Sequence, residues 1–256
     1  MSIAIVTGAS SGIGHELTKL LPQYFNVEEI WAVARREDRL KSLTSENVPV
    51  RAIAMDLACT ENFEKISCML KNENKQVGLL INCAGYGKFG SYKDFGNKEA
   101  LGMIDLNCRA LVGVTNTVLP FMPNGAKILQ ISSIAAFQPL PDENIYAASK
   151  AFVLNYSRAL YWELRDRDIT VTALCPGWVD TDFFKTATAT KSPNAVNNYS
   201  FMQTPEQVAR QGLQAARKGR MLSIVGIQNK LLYVAGKLMP TKLIMRTWMK
   251  TKSKKN

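Results

Sequence analysis

The sequence predicts an α/β protein with a single, doubly wound parallel sheet of about seven strands and helices on both faces. Two observations lead to this prediction. Short apolar runs alternate with longer helical patterns along most of the 256 residues, and the runs are apolar at consecutive positions, as in strands buried on both faces. Because no Pro-, Ser- or Gly-rich linker divides the chain, one domain is expected.

The strands are predicted at seven apolar runs. Their positions are 3–6, 30–34, 50–55, 79–81, 127–131, 170–174 and 222–225. Helical patterns begin near Gly12, Asp38, Glu61, Lys98, Tyr146 and Pro205. Since ligands bind at the carboxyl ends of the strands in such folds, a site is expected in the turns that follow them.

Cysteine usage and hydropathy predict a soluble, cytoplasmic protein. Five scattered cysteines without a C-x-x-C pair fit a reducing compartment, and they predict neither a disulfide framework nor a metal site. An apolar strand begins at Ile3 and a turn follows at once, so no cleavable signal is expected. No apolar run reaches the ~18 residues that a membrane span requires.

The net charge of +11 is concentrated near the C-terminus. After Glu206 there are twelve Lys or Arg residues and no acidic residue, whereas residues 1–206 carry twenty basic and twenty-one acidic side chains. No nucleic-acid partner is expected, because neither stacking aromatic residues nor a known reading motif accompanies the basic residues. A solvated surface is favoured over a membrane or partner contact.

A glycine-rich turn follows the first strand and opens the first helix. It reads Thr7-Gly8-Ala9-Ser10-Ser11-Gly12-Ile13-Gly14. Gly8 permits the tight turn, while Gly12 and Gly14 let the backbone approach a pyrophosphate at the helix N-terminus. The turn therefore predicts a dinucleotide site in a Rossmann-type sheet, with Ser10, Ser11 and Ile13 among the cofactor-binding residues.

Within this turn, residues 8–12 also match G-x-S-x-G, the pattern of the nucleophile turn in α/β-hydrolases. A hydrolase of that type places its histidine last in the chain, after the acid partner. The only histidine, His15, precedes every possible acid partner, so a Ser-His-Asp hydrolase is excluded.

The second strand ends in Ala34-Arg35-Arg36, about twenty residues after the glycine turn. An acidic side chain there would accept a free ribose 2′-hydroxyl, and a guanidinium would bind a 2′-phosphate. Ala34 offers no acceptor and Arg35 offers a planar fork of donors. NADP(H) is therefore favoured over NAD(H), with Arg36 either assisting or solvated.

The ends of the third and fourth strands complete the predicted cofactor site. Asp56 and Leu57 close the third strand and are expected near the adenine. Asn82, Ala84 and Gly85 close the fourth strand and are expected near the adenosine ribose. Both expectations follow because the carboxyl ends of parallel strands meet at one edge of the sheet.

Tyr146 and Lys150 stand four residues apart in a stretch that contains no Gly or Pro up to Glu163. Four residues return a helix to the same face, so both head groups are expected in one cleft. A unit charge about 5 Å from the phenol, at an effective dielectric of about 20, favours the phenolate by roughly 3 kcal/mol. We therefore expect Lys150 to lower the pKa of Tyr146 and to make it a general acid/base.

The stretch 176–203 is long and rich in turns, unlike the other connections. It carries five aromatic residues, which are Trp178, Phe183, Phe184, Tyr199 and Phe201. Aromatic residues on an ordinary surface loop would lack burial. A mobile cover over the substrate is therefore expected.

Together these motifs resemble those of the short-chain dehydrogenases/reductases, in their Tyr-x-x-x-Lys type and NADP-preferring branch. The resemblance covers nearly the whole chain and adds, in the expected order, Asn107, the pair Ser132-Ser133 and the segment 176–181. One departure is Cys83, which stands where the family has a second Asn.

The resemblance implies a mechanism and a role for each matched residue. Tyr146 protonates the carbonyl oxygen as NADPH delivers a hydride, and Ser133 stabilises the charge that develops on that oxygen. Lys150 holds the nicotinamide ribose, and Asn107 anchors a water molecule that links Lys150 to solvent. The nicotinamide pocket is formed by Pro176, Gly177, Val179 and Thr181. A homodimer or homotetramer is implied as well.

The sequence thus predicts an NADP(H)-dependent oxidoreductase that interconverts a ketone or aldehyde and its alcohol. Aromatic residues flank the predicted mouth, so an apolar substrate is expected. The alternative is a non-catalytic NADPH-binding sensor or scaffold whose basic tail binds a membrane or a partner. Residues 1–226 would form the catalytic domain, and residues 227–256 a basic amphipathic extension. A membrane surface, a cover over the substrate mouth and an oligomer contact are open for this extension, and packing on its own protein is favoured.

Overall fold

The computed structural model describes residues 2–197, 199 and 201–253. Seven strands form one sheet: β1 Ile3–Thr7, β2 Ile30–Ala34, β3 Val50–Ala54, β4 Val77–Asn82, β5 Lys127–Ile131, β6 Thr170–Cys175 and β7 Leu222–Ile224. All pairings are parallel, in the order β3-β2-β1-β4-β5-β6-β7. The order reverses between β1 and β4, and this switch point leaves a crevice at the carboxyl ends of those strands.

The helices connect the strands and cover the sheet. They are α1 Gly12–Leu20, α2 Glu37–Lys41, α3 Glu61–Asn72, α4 Asn97–Ile104, α5 Ala110–Val118, α6 Asn144–Glu163, α7 Phe183–Ala187, α8 Pro205–Arg217, α9 Ile227–Leu238 and α10 Thr241–Ser253. A wider π-helical turn over Asp105–Arg109 joins α4 to α5. Every predicted strand end and helix start lies within two residues of the observed one.

Strand β1 shows why the strands are apolar at consecutive positions. Ala4 and Val6 pack in the layer that contains α1 and α8, whereas Ile3 and Ile5 pack in the layer of α3, α5 and α6. All four side chains are buried, and truncating Ile5 to Ala would cost about 2–5 kcal/mol. Two-sided burial confirms the predicted Rossmann-type sheet with helices on both faces.

The C-terminal extension packs back onto the body as two helices, α9 and α10, separated at Pro240. The Tyr233 hydroxyl accepts a hydrogen bond from Arg158 Nη2 at 3.1 Å. Trp248 Nε1 donates to the Pro141 carbonyl oxygen at 3.1 Å. Across the described part of the chain, every helix is too short or too polar to span a bilayer.

Candidate active site

A cavity of about 810 Å³ lies at the carboxyl ends of the strands, at the switch point between β1 and β4. Ser133, Tyr146 and Lys150 line it. Most of the predicted cofactor-binding residues line it as well: Gly8, Ser10, Ser11, Gly12, Ile13, Gly14, Arg35, Arg36, Asp56, Leu57, Ala84, Gly85, Pro176, Gly177, Val179 and Thr181. The fold therefore brings residues from six separate turns into one space.

The glycine turn forms a cradle that side chains would fill. Gly8 and Gly12 have φ of +70° and +56°, in the left-handed region that favours glycine. A Cβ atom at Gly8 would lie 2.8 Å from the backbone nitrogen of Ala84, and one at Gly14 would clash with the Gly8 carbonyl oxygen. The first turn of α1 contains no acidic residue. Its free N–H groups thus fit the pyrophosphate of a dinucleotide.

Arg36 reaches the glycine turn. Its Nη2 atom donates to Ser10 Oγ at 2.9 Å and to Ser11 Oγ at 2.7 Å. Arg35 is exposed and lines the edge of the same cavity. The sequence favoured Arg35 as the donor to a 2′-phosphate and left Arg36 open, whereas the structure brings the Arg36 guanidinium to the serines of the turn.

The helix α6 presents Tyr146 and Lys150 to the cavity together, as their spacing predicts. Lys150 Nζ lies 5.8 Å from the centroid of the Tyr146 ring and donates to the Ile131 carbonyl oxygen at 2.9 Å. Ser133 follows β5, where its Oγ atom accepts from the Ala135 nitrogen at 3.1 Å.

The pKa of Tyr146 is raised, which corrects the expectation that Lys150 lowers it. Burial of the phenol is the largest cause, and the charge of Glu143 adds to it, while the hydrogen bond from Ser133 lowers the pKa. Burial also lowers the pKa of Lys150. The expectation was wrong because desolvation penalises both charged groups, and a Coulomb estimate at fixed distance leaves this cost out.

Two asparagines lie beside the cavity rather than in its wall. Asn107 is buried, and its Nδ2 donates to the Tyr86 carbonyl oxygen at 2.9 Å and to Ser149 Oγ at 3.0 Å. Asn82 Nδ2 donates to Thr115 Oγ1 at 2.9 Å. Asn82 is paired with Thr7 at the end of β4, directly before the glycine turn, and its position near the adenosine ribose stays a prediction.

Aromatic residues of the connection after β6 pack against α6. Phe183, on α7, lies 5.4 Å from the Tyr146 ring, measured between centroids. It belongs to a cluster with Phe89, Trp178, Phe184 and Tyr199. Phe201 is exposed and stands outside this cluster. Four of the five aromatic residues predicted to cover the site therefore pack together beside Tyr146.

The C-terminal extension supplies a wall of the cavity, in line with the cover over the substrate mouth that the sequence left open for it. Its lining residues are Leu232, Ala235, Gly236, Met239, Ile244, Thr247 and Trp248. Trp248 packs with Leu140, Ala147 and Tyr146. The amphipathic pattern of residues 231–249 signals a buried face, but the sequence alone does not tell which surface that face meets.

Comparison with known proteins relates this fold and site to a family. Residues 2–192 match the family described as short chain dehydrogenase. The chain is 26% identical over 227 residues to the 3-oxoacyl-[acyl-carrier-protein] reductase FabG of Chlamydia trachomatis, covering 84% of this chain and 90% of that protein. It is 28% identical over 242 residues to the very-long-chain 3-oxoacyl-CoA reductase of Rattus norvegicus, covering 90% and 75%.

Solved structures share the fold. A short-chain dehydrogenase from Sphingobium yanoikuyae in complex with NADPH has a TM-score of 0.78 at 24% identity, covering 93% of each chain. The 3-ketoacyl-(acyl-carrier-protein) reductase from Brucella melitensis, complexed with NADH, has a TM-score of 0.74 at 21% identity, covering 88% of this chain and 96% of that one. The chain therefore belongs to the short-chain dehydrogenase family. It is an oxidoreductase of the class that acts on CH–OH and C=O groups.

Proposed function

We propose that this protein is an NADP(H)-dependent oxidoreductase that interconverts an apolar ketone or aldehyde and its alcohol. The observation that carries the proposal is the meeting of Ser133, Tyr146 and Lys150 with the glycine cradle in one cavity. A proton donor and a dinucleotide site in one space are what carbonyl reduction requires. No observation favours the alternative of a non-catalytic sensor.

The cofactor proposal rests on the glycine turn after β1 and on the arginine pair after β2. The glycine turn would hold the pyrophosphate, while Arg36 and Arg35 would bind a 2′-phosphate in the absence of an acidic residue at Ala34. Asp56 and Leu57 would lie at the adenine. The relatives that hold NADPH and NADH support a nicotinamide cofactor, and the arginine pair supports NADP(H). Bound in this way, the nicotinamide supplies or takes up the hydride.

Tyr146 would act as the general acid of the reduction. Its raised pKa keeps the phenol protonated at neutral pH, so a proton is available for the carbonyl oxygen. Ser133 would donate a hydrogen bond to that oxygen and stabilise its developing charge. Lys150 would hold the nicotinamide ribose hydroxyls. Asn107 would act as a positioning residue, because its amide ties the Tyr86 backbone to Ser149 on the catalytic helix.

The nicotinamide side of the cavity would be shaped by the segment after β6. The residues assigned to it are Pro176, Gly177, Val179 and Thr181. The substrate would lie beyond them, against Phe183, Leu140, Leu232 and Trp248. These side chains are mostly hydrocarbon, which supports an apolar carbonyl compound. The 3-oxoacyl reductases among the relatives also support an apolar carbonyl substrate.

The division of the chain follows the same reasoning. Residues 1–226 would bind cofactor and substrate, and residues 227–256 would form an extension that closes the substrate side. A cytoplasmic location is supported by five cysteines that are all free thiols.

The test is Tyr146→Phe, compared with Tyr156→Phe on the same helix. Turnover of a panel of apolar ketones and aldehydes is followed by oxidation of NADPH or NADH. We expect Tyr146→Phe to bind NADPH normally and to lose at least ~10²-fold in kcat, whereas Tyr156→Phe keeps its rate. The unsubstituted protein should prefer NADPH. Unchanged turnover in Tyr146→Phe would refute the proposed role of the phenol.

A further inference from the structure

The outer face of α9 and α10 carries exposed apolar side chains. On α9, Ile227, Leu231, Val234 and Leu238 recur at helical spacing, and between 52% and 81% of each side chain is exposed. On α10, Leu243 and Met249 are also about half exposed. The inner faces of the same helices are already occupied by contacts with the body and the cavity. We call the apolar row of α9, formed by Ile227, Leu231, Val234 and Leu238, the outer stripe.

Positive charge flanks the outer stripe. The exposed basic residues of α9 and α10 are Lys230, Lys237, Lys242, Arg246 and Lys250. No acidic residue follows Glu206 in the sequence, so the extension carries charge of one sign. An apolar stripe whose charged neighbours on the same helices are all lysine or arginine is the pattern of a helix that lies in the interface of an anionic bilayer.

The charge argues against a second copy of this chain as the occupant of the stripe. A two-fold contact would bring the same surface of both copies together. Ten like charges would then meet across the contact with no acidic residue of the extension to balance them. Lipid headgroups with net negative charge match the surface in both respects, because they attract the lysines while the acyl region receives the apolar side chains.

We propose that α9 and α10 dock the protein on an anionic lipid bilayer through the outer stripe and its flanking basic residues. One face of residues 227–250 thus closes the cavity, and the other face lies on the lipid. The docking does not depend on turnover.

A consequence for substrate access rests on the proposed function. Leu232 and Met239 line the cavity and are themselves partly exposed beside the stripe. The apolar wall of the cavity is therefore continuous with the lipid-facing surface. An apolar carbonyl compound dissolved in the bilayer would reach the site along this wall without crossing water.

Co-sedimentation of the full chain with vesicles tests the docking. The vesicles contain phosphatidylcholine alone or mixed with phosphatidylglycerol. We expect at least ~10-fold stronger partitioning to the mixed vesicles, and a loss of binding in 1 M salt, where the Debye length falls to about 3 Å. Tyr146→Phe should sediment like the unsubstituted protein, which separates this test from that of the catalytic proposal.

Matched variants locate the surface. Replacing Lys230, Lys237 and Lys242 together by Glu should weaken binding by roughly 100-fold, because each basic residue near the surface contributes about 1 kcal/mol. The control replaces Lys19, Lys65 and Lys71 by Glu, with the same change in net charge, and should keep its binding. Leu231→Asn with Leu238→Asn should also weaken binding, whereas Tyr92→Asn with Met202→Asn should not.

Several results would overturn the docking. They are absence of sedimentation, equal partitioning to neutral and anionic vesicles, and equal losses in the matched controls. A concentration-dependent dimer that disappears in the Leu231/Leu238 variant, without any vesicle binding, would assign the stripe to a second copy instead. Circular dichroism and NADPH binding of each variant confirm that it is folded.

Discussion

Tyr146 illustrates how burial and charge compete at a single residue. The sequence gives the distance between phenol and ammonium, and from it a Coulomb attraction that favours the phenolate. The structure adds the burial of both groups, which is the larger effect on each pKa. Desolvation therefore determines the charge state of the free protein, and the phenol is a proton donor rather than a phenolate.

The raised pKa leads to a prediction about the pH titration of Tyr146. The folded protein holds this proton more tightly than the unfolded chain, whose tyrosine has a pKa near 10. The group therefore stabilises the fold below pH 10, and this contribution is lost as the pH rises above 10. The difference in absorbance at the phenolate band between the unsubstituted protein and Tyr146→Phe should show no ionisation of Tyr146 below pH 10.

Ser133→Ala provides the comparison for that titration. The Ser133 hydroxyl lowers the pKa of Tyr146 by hydrogen bonding. Its removal should move the Tyr146 transition to still higher pH. A transition below pH 10, or a downward shift in Ser133→Ala, would contradict the account given for this residue.

Other residues show what a sequence reveals about a site. The glycine turn was readable because backbone conformation and steric space leave glycine as the only residue that fits, as Gly8 shows with φ of +70°. Asn82 ends β4, and its side chain bonds Thr115 instead of lining the cavity, a contact that the sequence alone does not reveal. The choice between Arg35 and Arg36 was not readable, because it depends on how the chain turns after β2.

At the scale of elements, the sequence predicted the strands of the sheet and most of the helices that connect them, but neither α7 nor the placement of α9 and α10. The strands and main helices follow from continuous apolar runs and helical periodicity. The five-residue helix α7 was not predicted, because it lies in the turn-rich connection after β6 and is held by tertiary contacts in the aromatic cluster around Phe89. The placement of α9 and α10 was not predicted either, because it depends on which surface of the body Tyr233 and Trp248 contact.

Trp248 is the anchor that we expect to hold α10 over the cavity. Its ring packs with Leu140 and Tyr146, and its Nε1 atom donates to Pro141. Trp248→Ala should release α10 by local unfolding, because few other contacts hold a terminal helix. Hydrogen exchange over α10 should become fast, and the KM for apolar carbonyl compounds should rise, with little change in Tm.

Trp162→Ala is the matched control for this release. Trp162 is 59% exposed on α6, where its ring lies against Arg165 rather than the cavity. The control should leave exchange in α10 and KM unchanged. Protected α10 amides in Trp248→Ala would show that the remaining contacts suffice to hold the helix.

At the scale of the whole molecule, charge and exposed apolar surface divide the protein into regions. The body up to Glu206 is nearly neutral, and the excess positive charge lies on the C-terminal part. The sequence showed this asymmetry. It did not show that apolar residues of the extension face outward between the lysines, because helical periodicity identifies a face but not its neighbour.

A second exposed apolar region leads to the prediction that the protein self-associates through α4 and α6. Leu101 and Ile104 on α4, with Phe152 and Trp162 on α6, are between 43% and 59% exposed, and α4 packs beside α6. Large exposed apolar patches are unusual on monomers. We expect a dimer or tetramer by sedimentation velocity at micromolar concentration.

Leu101→Asp with Phe152→Asp should yield folded monomers, because each copy would bury two unpaired carboxylates in the contact. Leu231→Asp with Leu238→Asp, which alters the outer stripe instead, should leave the oligomer intact. A monomeric unsubstituted protein, or loss of the oligomer in the second variant alone, would refute this assignment.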